Sequence, residues 1–178
     1  LITRLQTAFF VSFLKKFMQK EINTVELRNL KIEDYKELKN SMVKAYSEID
    51  GAYWKETEIR KLLKTFPEGQ LVIVVDGKVI GAALSLIVKY KTAITNHNYE
   101  KITGNYTFST HDPSGEILYG IDVFIDPAYR GIRLGRRLYD ARKELCEQLN
   151  LKSIIFAGRI PNYTENSNDF TPKEYIEK

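Results

Sequence analysis

Two apolar runs separated by a two-residue turn constrain this chain more than any other feature. Leu71-Val72-Ile73-Val74-Val75 and Val79-Ile80-Gly81-Ala82-Ala83-Leu84-Ser85-Leu86 flank Asp76-Gly77, with Lys78 opening the second run. Such runs read as strands, and Asp-Gly suits the tight primed turn whose central residues take positive φ. Any fold for this chain is therefore expected to contain this antiparallel pair.

The flanking patterns extend that pair. Residues 24–28 alternate as a strand should, and a helix is expected over residues 32–46, with Ile32, Tyr35, Leu38, Met42 and Tyr46 on one face. A second helix over 56–66, carried by Ile59, Leu62, Leu63 and Phe66, is stopped by Pro67 and Gly69. Residues 90–115 are polar and without clear periodicity, which predicts a functional loop or flap, with disorder as the competitor. Beyond them a strand over 117–125, a helix over 134–149 with Leu138, Ala141, Leu145 and Leu149 on one side, and a strand over 153–157 imply a parallel pair joined by a crossover. The fold class is α/β: a mixed, mostly antiparallel sheet flanked by helices.

With 178 residues the chain is one domain's worth of protein. At that size roughly 70% of the unfolded chain's surface is hidden on folding, so a core forms without staples. Cys146 is the single cysteine, which excludes a disulfide framework and zinc-finger spacing and points to a reducing, cytoplasmic setting. A net charge of +4 is too mild for a dedicated nucleic-acid binder, and the arginines of the 134–149 helix are interrupted by Asp140 and Glu144. No run approaches the ~20 apolar residues of a membrane span. Residues 1–23 read as an amphipathic helix, with Leu5, Phe9, Phe10, Phe13, Leu14 and Phe17 beside Arg4, Lys15, Lys16 and Lys20, packing on its own domain or on a partner, with a membrane-surface helix as the competing reading. Residues 24–178 form the main domain.

The stretch from Ile125-Asp126-Pro127-Ala128-Tyr129-Arg130-Gly131 through Ile132-Arg133-Leu134-Gly135-Arg136-Arg137-Leu138 joins a strand end to a helix start. Unpaired N–H groups and the positive end of the helix dipole meet there, Gly131 and Gly135 allow close backbone approach, and Arg130 and Arg133 add full charges. A phosphate or pyrophosphate fits such a turn, although a solvated basic helix start has the same composition. A Walker loop would need Gly-Lys-Ser/Thr and a dinucleotide fingerprint three glycines followed by an acidic residue; neither is present.

The order of residues in this turn resembles the acyl-CoA-binding signature of the GNAT N-acetyltransferase superfamily. Ile125, Pro127, Tyr129, Arg130, Gly131, Gly135 and Leu138 stand at matching places, and Arg133 stands where the family has its middle glycine. The run from Tyr129-Arg130-Gly131 to Cys146, followed by Gly158-Arg159-Ile160-Pro161, is similar to GNAT domains that precede a carbon–nitrogen hydrolase (nitrilase-type) domain, which implies such a domain as a partner. The resemblance further implies acetyl-CoA as cosubstrate, an amine acceptor and no metal. It implies that Val123, Phe124 and Ile125 hold the pantetheine arm, that Arg130, Gly131, Ile132, Arg133, Leu134, Gly135 and Arg136 surround the pyrophosphate, and that Asn162 meets the pantetheine amides.

For the catalytic groups the family implies a carboxylate base on the signature strand and a tyrosine acid after the last parallel strand. Glu116 and Asp122 are the carboxylates available; alternation puts them on one side, with Tyr119 opposite, if no bulge intervenes. Tyr175 and Tyr163 are the acid candidates. Loop residues His97 and His111 could touch an acceptor. The family fold ends in two further antiparallel strands that this chain is not expected to contain, leaving an exposed edge near 153–157 that favours poor solubility or association with a neighbouring chain, a homo-oligomer among the options. A non-catalytic acyl-CoA-binding or regulatory domain remains as the alternative to an enzyme.

Overall fold

The computed structural model describes residues 22–47, 53–158 and 163–177. The helix expected over residues 1–23 lies outside them except for Ile22 and Asn23, and so does Asn162. In chain order the described elements are β1 (Val25–Asn29), α1 (Tyr35–Ala45), α2 (Glu56–Thr65), β2 (Leu71–Val75), β3 (Lys78–Val88), α3 (Tyr90–Ile94), α4 (Tyr99–Ile102), β4 (Ile117–Ile125), α5 (Leu134–Gln148), β5 (Ser153–Phe156), α6 (Tyr163–Asn166) and α7 (Pro172–Ile176). The strands form one sheet in sequence order, antiparallel from β1 to β4 and parallel between β4 and β5.

The hairpin follows from its sequence. Asp76 and Gly77 take φ of 48° and 77°, and Val75 pairs with Lys78, so the two strands turn through a two-residue loop. The Asp76 carboxylate also accepts the N–H groups of Asn23 and Thr24, tying the start of β1 to the same turn. β2 and β3 are buried along their whole length except for Lys78, because helices cover both faces of the sheet. That explains unbroken apolar runs where a one-faced sheet would alternate.

On one face, Leu38 and Met42 of α1 and Ile59 and Leu62 of α2 pack against Ala82, Leu84 and Leu86. On the other, Leu134 and Leu138 of α5 pack against Ile73, Ile80 and Ala83. Arg142 is buried in α5, while Leu149, expected on the apolar side of this helix, is exposed.

Residues 90–115 are not an open flap. They form two short helices and a series of turns closed over Trp54, whose ring meets Tyr99, Tyr106 and Phe108 at centroid distances of 5.5, 5.9 and 5.6 Å. Helices of five and four residues are too short to leave a periodic signal, and aromatic burial rather than regular structure holds the segment. His111, expected as a loop residue that could touch an acceptor, accepts the Ile87 N–H through Nδ1 at 3.1 Å and stacks on Phe66 at 5.0 Å. Among the described residues β1 and β5 are the two edges of the sheet, and Phe156 at the end of β5 is half exposed.

Candidate functional site

The pairing of β3 with β4 passes from Leu84↔Asp122 to Ser85↔Gly120, leaving Ile121 without a partner. One extra residue reverses the alternation beyond it. Tyr119 pairs with Leu86 and Asp122 with Leu84, so both lie on the face covered by α1 and α2. Glu116 falls in step with Leu118, which packs with Leu145 of α5 on the opposite face. The expectation that Glu116 and Asp122 share a side, with Tyr119 opposite, is therefore corrected: the bulge joins Asp122 to Tyr119, and Glu116, just ahead of β4, is in step with Leu118 rather than with Asp122.

The Asp122 carboxylate is enclosed by two donors from outside the strand. Tyr46, at the end of α1, donates its hydroxyl to one oxygen, and the Trp54 indole N–H donates to the other at 3.0 Å. Burial pushes the Asp122 carboxyl up from its ordinary value, while the two donors, the Val123 N–H and the charge of Arg142 pull it back. Sequence reasoning did not assign Tyr46 or Trp54 a functional place. Trp54 is the single tryptophan, but 68 residues separate it from Asp122, and no local pattern announces that contact.

Tyr119 has its own partner. His97 Nε2 lies 2.8 Å from the Tyr119 hydroxyl, and His97 Nδ1 lies 2.5 Å from the Thr95 carbonyl. A carbonyl only accepts, so Nδ1 carries a proton, and in the neutral imidazole Nε2 then accepts from Tyr119. Burial raises the Tyr119 phenol above its usual value. Tyr175 packs on its own neighbour: on α7 its ring stands edge-on to Tyr163 at 5.6 Å, and Tyr163 donates its hydroxyl to the Phe170 carbonyl.

A groove opens next to the bulge because two parallel strands part. β4 and β5 pair from Ile117↔Ser153 to Gly120↔Phe156 and no further, so residues 121–125 have no strand on that side among the described residues. The groove measures about 520 Å³ and is walled by Val123, Phe124, Ile125, Gly135 and Tyr139, with Arg130, Gly131, Arg133 and Arg136 at its mouth. A larger hollow of about 1120 Å³, between α1 and the start of β3, shares Tyr129 and Arg130 but includes neither the bulge nor the free edge of β4.

The turn at the mouth is held from below. Asp126, 3% exposed, accepts the Ala128 N–H at 3.0 Å and the Lys44 ammonium at 2.9 Å, and its own N–H reaches the Ile80 carbonyl. Gly131 has φ of 86°, and Arg133, directly before α5, has φ of 63°. Left-handed backbone at Arg133 gives a physical reason for glycine at this place in the signature. A Cβ on Gly135 would meet nothing nearer than Ile125 Cγ1 at 3.8 Å, so the missing side chain leaves open space in the groove wall. Free strand backbone, a helix N-terminus and exposed arginines in one groove suit a ligand with an amide-bearing arm and a pyrophosphate.

The chain matches the model of the acetyltransferase (GNAT) family over residues 35–171 and belongs to that family. Two relatives come from Bacillus subtilis (strain 168). It is 41% identical over 125 residues to the Probable hydrolase YhcX, covering 70% of this chain and 24% of that protein. It is 32% identical over 124 residues to the Uncharacterized N-acetyltransferase YkwB, covering 70% of this chain and 55% of that protein. The chain thus spans about a quarter and about half of these relatives' lengths. In fold it resembles the loading GNATL domain of CurA from Lyngbya majuscula, with a TM-score of 0.72, 24% identity, and 88% of this chain and 75% of that one covered. It also resembles the GphF GNAT-like decarboxylase in complex with isobutyryl-CoA, with a TM-score of 0.70, 18% identity, and coverage of 85% and 75%. No described helix is long and apolar enough to cross a membrane.

Proposed function

We propose that this domain transfers an acetyl group from acetyl-CoA to an amine. The observation that carries the reading is the groove itself, which runs from the basic turn at the N-terminus of α5 along the free edge of β4 to Val123, the residue after Asp122, with Tyr46, the partner of Asp122, in its wall. The pyrophosphate meets N–H groups and guanidinium charge from Arg130 to Arg136, and the pantetheine arm lies along Val123, Phe124 and Ile125. The thioester then comes to the bulge.

Acyl transfer requires a neutral amine and a protonated leaving thiolate. Asp122, its carboxyl raised by burial, takes the proton from the acceptor ammonium; Tyr46 and Trp54 fix its orientation. Tyr119, held by His97 on the same face, lines the acceptor side. Tyr175, whose hydroxyl has no hydrogen bond among the described residues, remains the candidate donor to the thiolate. Glu116, out of step with Asp122, is left out of this mechanism. The identity with YhcX over a quarter of its length supports a role for such a domain inside a longer hydrolase chain.

Both Asp122 oxygens already carry a donor, which favours a second reading as an acyl-CoA-binding domain without turnover. One experiment separates the two. A ligand at a hundredfold excess over its dissociation constant adds about 2.7 kcal/mol, or roughly 5–11 °C in melting temperature for a domain of this size. Acetyl-CoA and desulfo-CoA should both give that shift, and CoA release with a panel of amines should follow for an enzyme. A shift without release with any amine selects the binding domain; no shift with any CoA species sinks both.

A further inference from the structure

Arg142 is the most anomalous side chain in the described structure. It is 1% exposed, and none of its three guanidinium nitrogens has a hydrogen-bond partner among the described residues. Desolvation of the guanidinium outweighs the charge of Asp122, which it feels without a hydrogen bond, so a cation kept in this state needs an anion that its free N–H groups can hold.

Its position says where that anion arrives. Gly120↔Phe156 is the last pair before β4 and β5 separate, and the guanidinium lies against both residues: a Cβ on Gly120 would come within 2.3 Å of Arg142 Nη1 and 3.2 Å of Phe156 Cβ. The absent side chain of Gly120 thus makes room for the guanidinium at the vertex of the parted strands. Two rings cover it, Tyr139 at 5.1 Å and Phe156 at 5.7 Å from the guanidinium carbon, and they are 37% and 49% exposed. Tyr139 is also a wall of the groove. The Tyr139 ring therefore borders both the guanidinium and the groove.

From Ile125, beside the basic turn, to Gly120 is five residues of strand, about 17 Å. A ligand whose pyrophosphate sits at the turn and whose arm follows β4 therefore brings its far end, the acyl group, to the vertex. From this juxtaposition we propose that Arg142 forms an anion subsite for the acyl group, so that the groove accepts acyl donors ending in a carboxylate beside the acetyl donor. A planar guanidinium with a full set of free donors suits bidentate capture of a carboxylate. This inference rests on reading the groove as an acyl-CoA site.

The test compares malonyl-CoA with propionyl-CoA, of similar length but neutral at the acyl end, by calorimetric titration of the intact chain and of its Arg142→Met and Arg142→Lys variants. The parent should bind malonyl-CoA at least tenfold more tightly. Arg142→Met should bring the ratio to near one and Arg142→Lys should keep part of it; melting curves verify that each variant is folded. Equal binding of the two thioesters by the parent, or a preference that survives Arg142→Met, overturns the anion subsite and leaves the acyl-CoA reading standing. Failure of every CoA species to bind the parent overturns both.

Discussion

Arg133 shows how much one residue decides at the basic turn. A left-handed backbone costs a residue with a side chain about 1–2 kcal/mol, and at this position the side chain is cationic and beside the proposed pyrophosphate site. Arg133→Ala keeps the strained backbone and loses the charge, and should weaken acetyl-CoA binding by about 1.5–3 kcal/mol, the worth of a hydrogen bond to a charged group. Arg133→Gly loses the same charge but relieves the backbone; part of that relief returns as extra freedom of the unfolded chain, so a net stabilisation of up to about 1 kcal/mol is expected. Calorimetric titration and thermal melts of the two variants check both. Tighter acetyl-CoA binding by Arg133→Gly than by the parent would mean that the side chain obstructs the site.

At the scale of elements, the groove is a product of three: β4 with its bulge, β5 that stops pairing after Phe156, and α5 whose first turn carries the glycine that keeps the wall open. Gly135 has ordinary backbone and room for a Cβ, so small side chains are tolerated there and a large one fills the groove. Gly135→Trp should abolish the melting shift given by acetyl-CoA while the protein still melts cooperatively, because the indole blocks approach to the strand without touching Asp122 or Tyr119. A full shift in that variant would place the ligand elsewhere. The β4 bulge is the feature that sequence periodicity could not give. Alternation along 117–125 is satisfied equally with or without an extra residue, and only the register of β3 against β4 reveals that Ile121 is unpaired.

At the scale of the whole molecule, the segment of residues 90–115 is locked to the sheet partly through His111. Desolvation lowers the pKa of its imidazole, with Asp112 and Glu68 opposing, so in this range the unfolded chain binds more protons than the folded one. Stability from this group is complete above the unfolded value of about 6.5 and is lost as pH falls below it. Melting temperatures between pH 8 and pH 5 should fall for the parent and fall less steeply for His111→Gln, which retains an acceptor for the Ile87 N–H; equal slopes would remove His111 from the cause. The sequence by itself determined the hairpin, the strand–helix–strand unit and the basic turn, because each rests on local rules: turn chemistry at Asp76-Gly77, periodicity in 134–149, and glycines beside a helix start. Tertiary structure alone decided the rest. Trp54 and Tyr46 reach Asp122 across 68 and 76 residues of chain, His97 reaches Tyr119 across 22, and Arg142 is buried because Gly120 on another element leaves room for it. Those contacts are set by how strands register and helices pack over them, and pairings between distant segments leave no periodic trace in the order of residues.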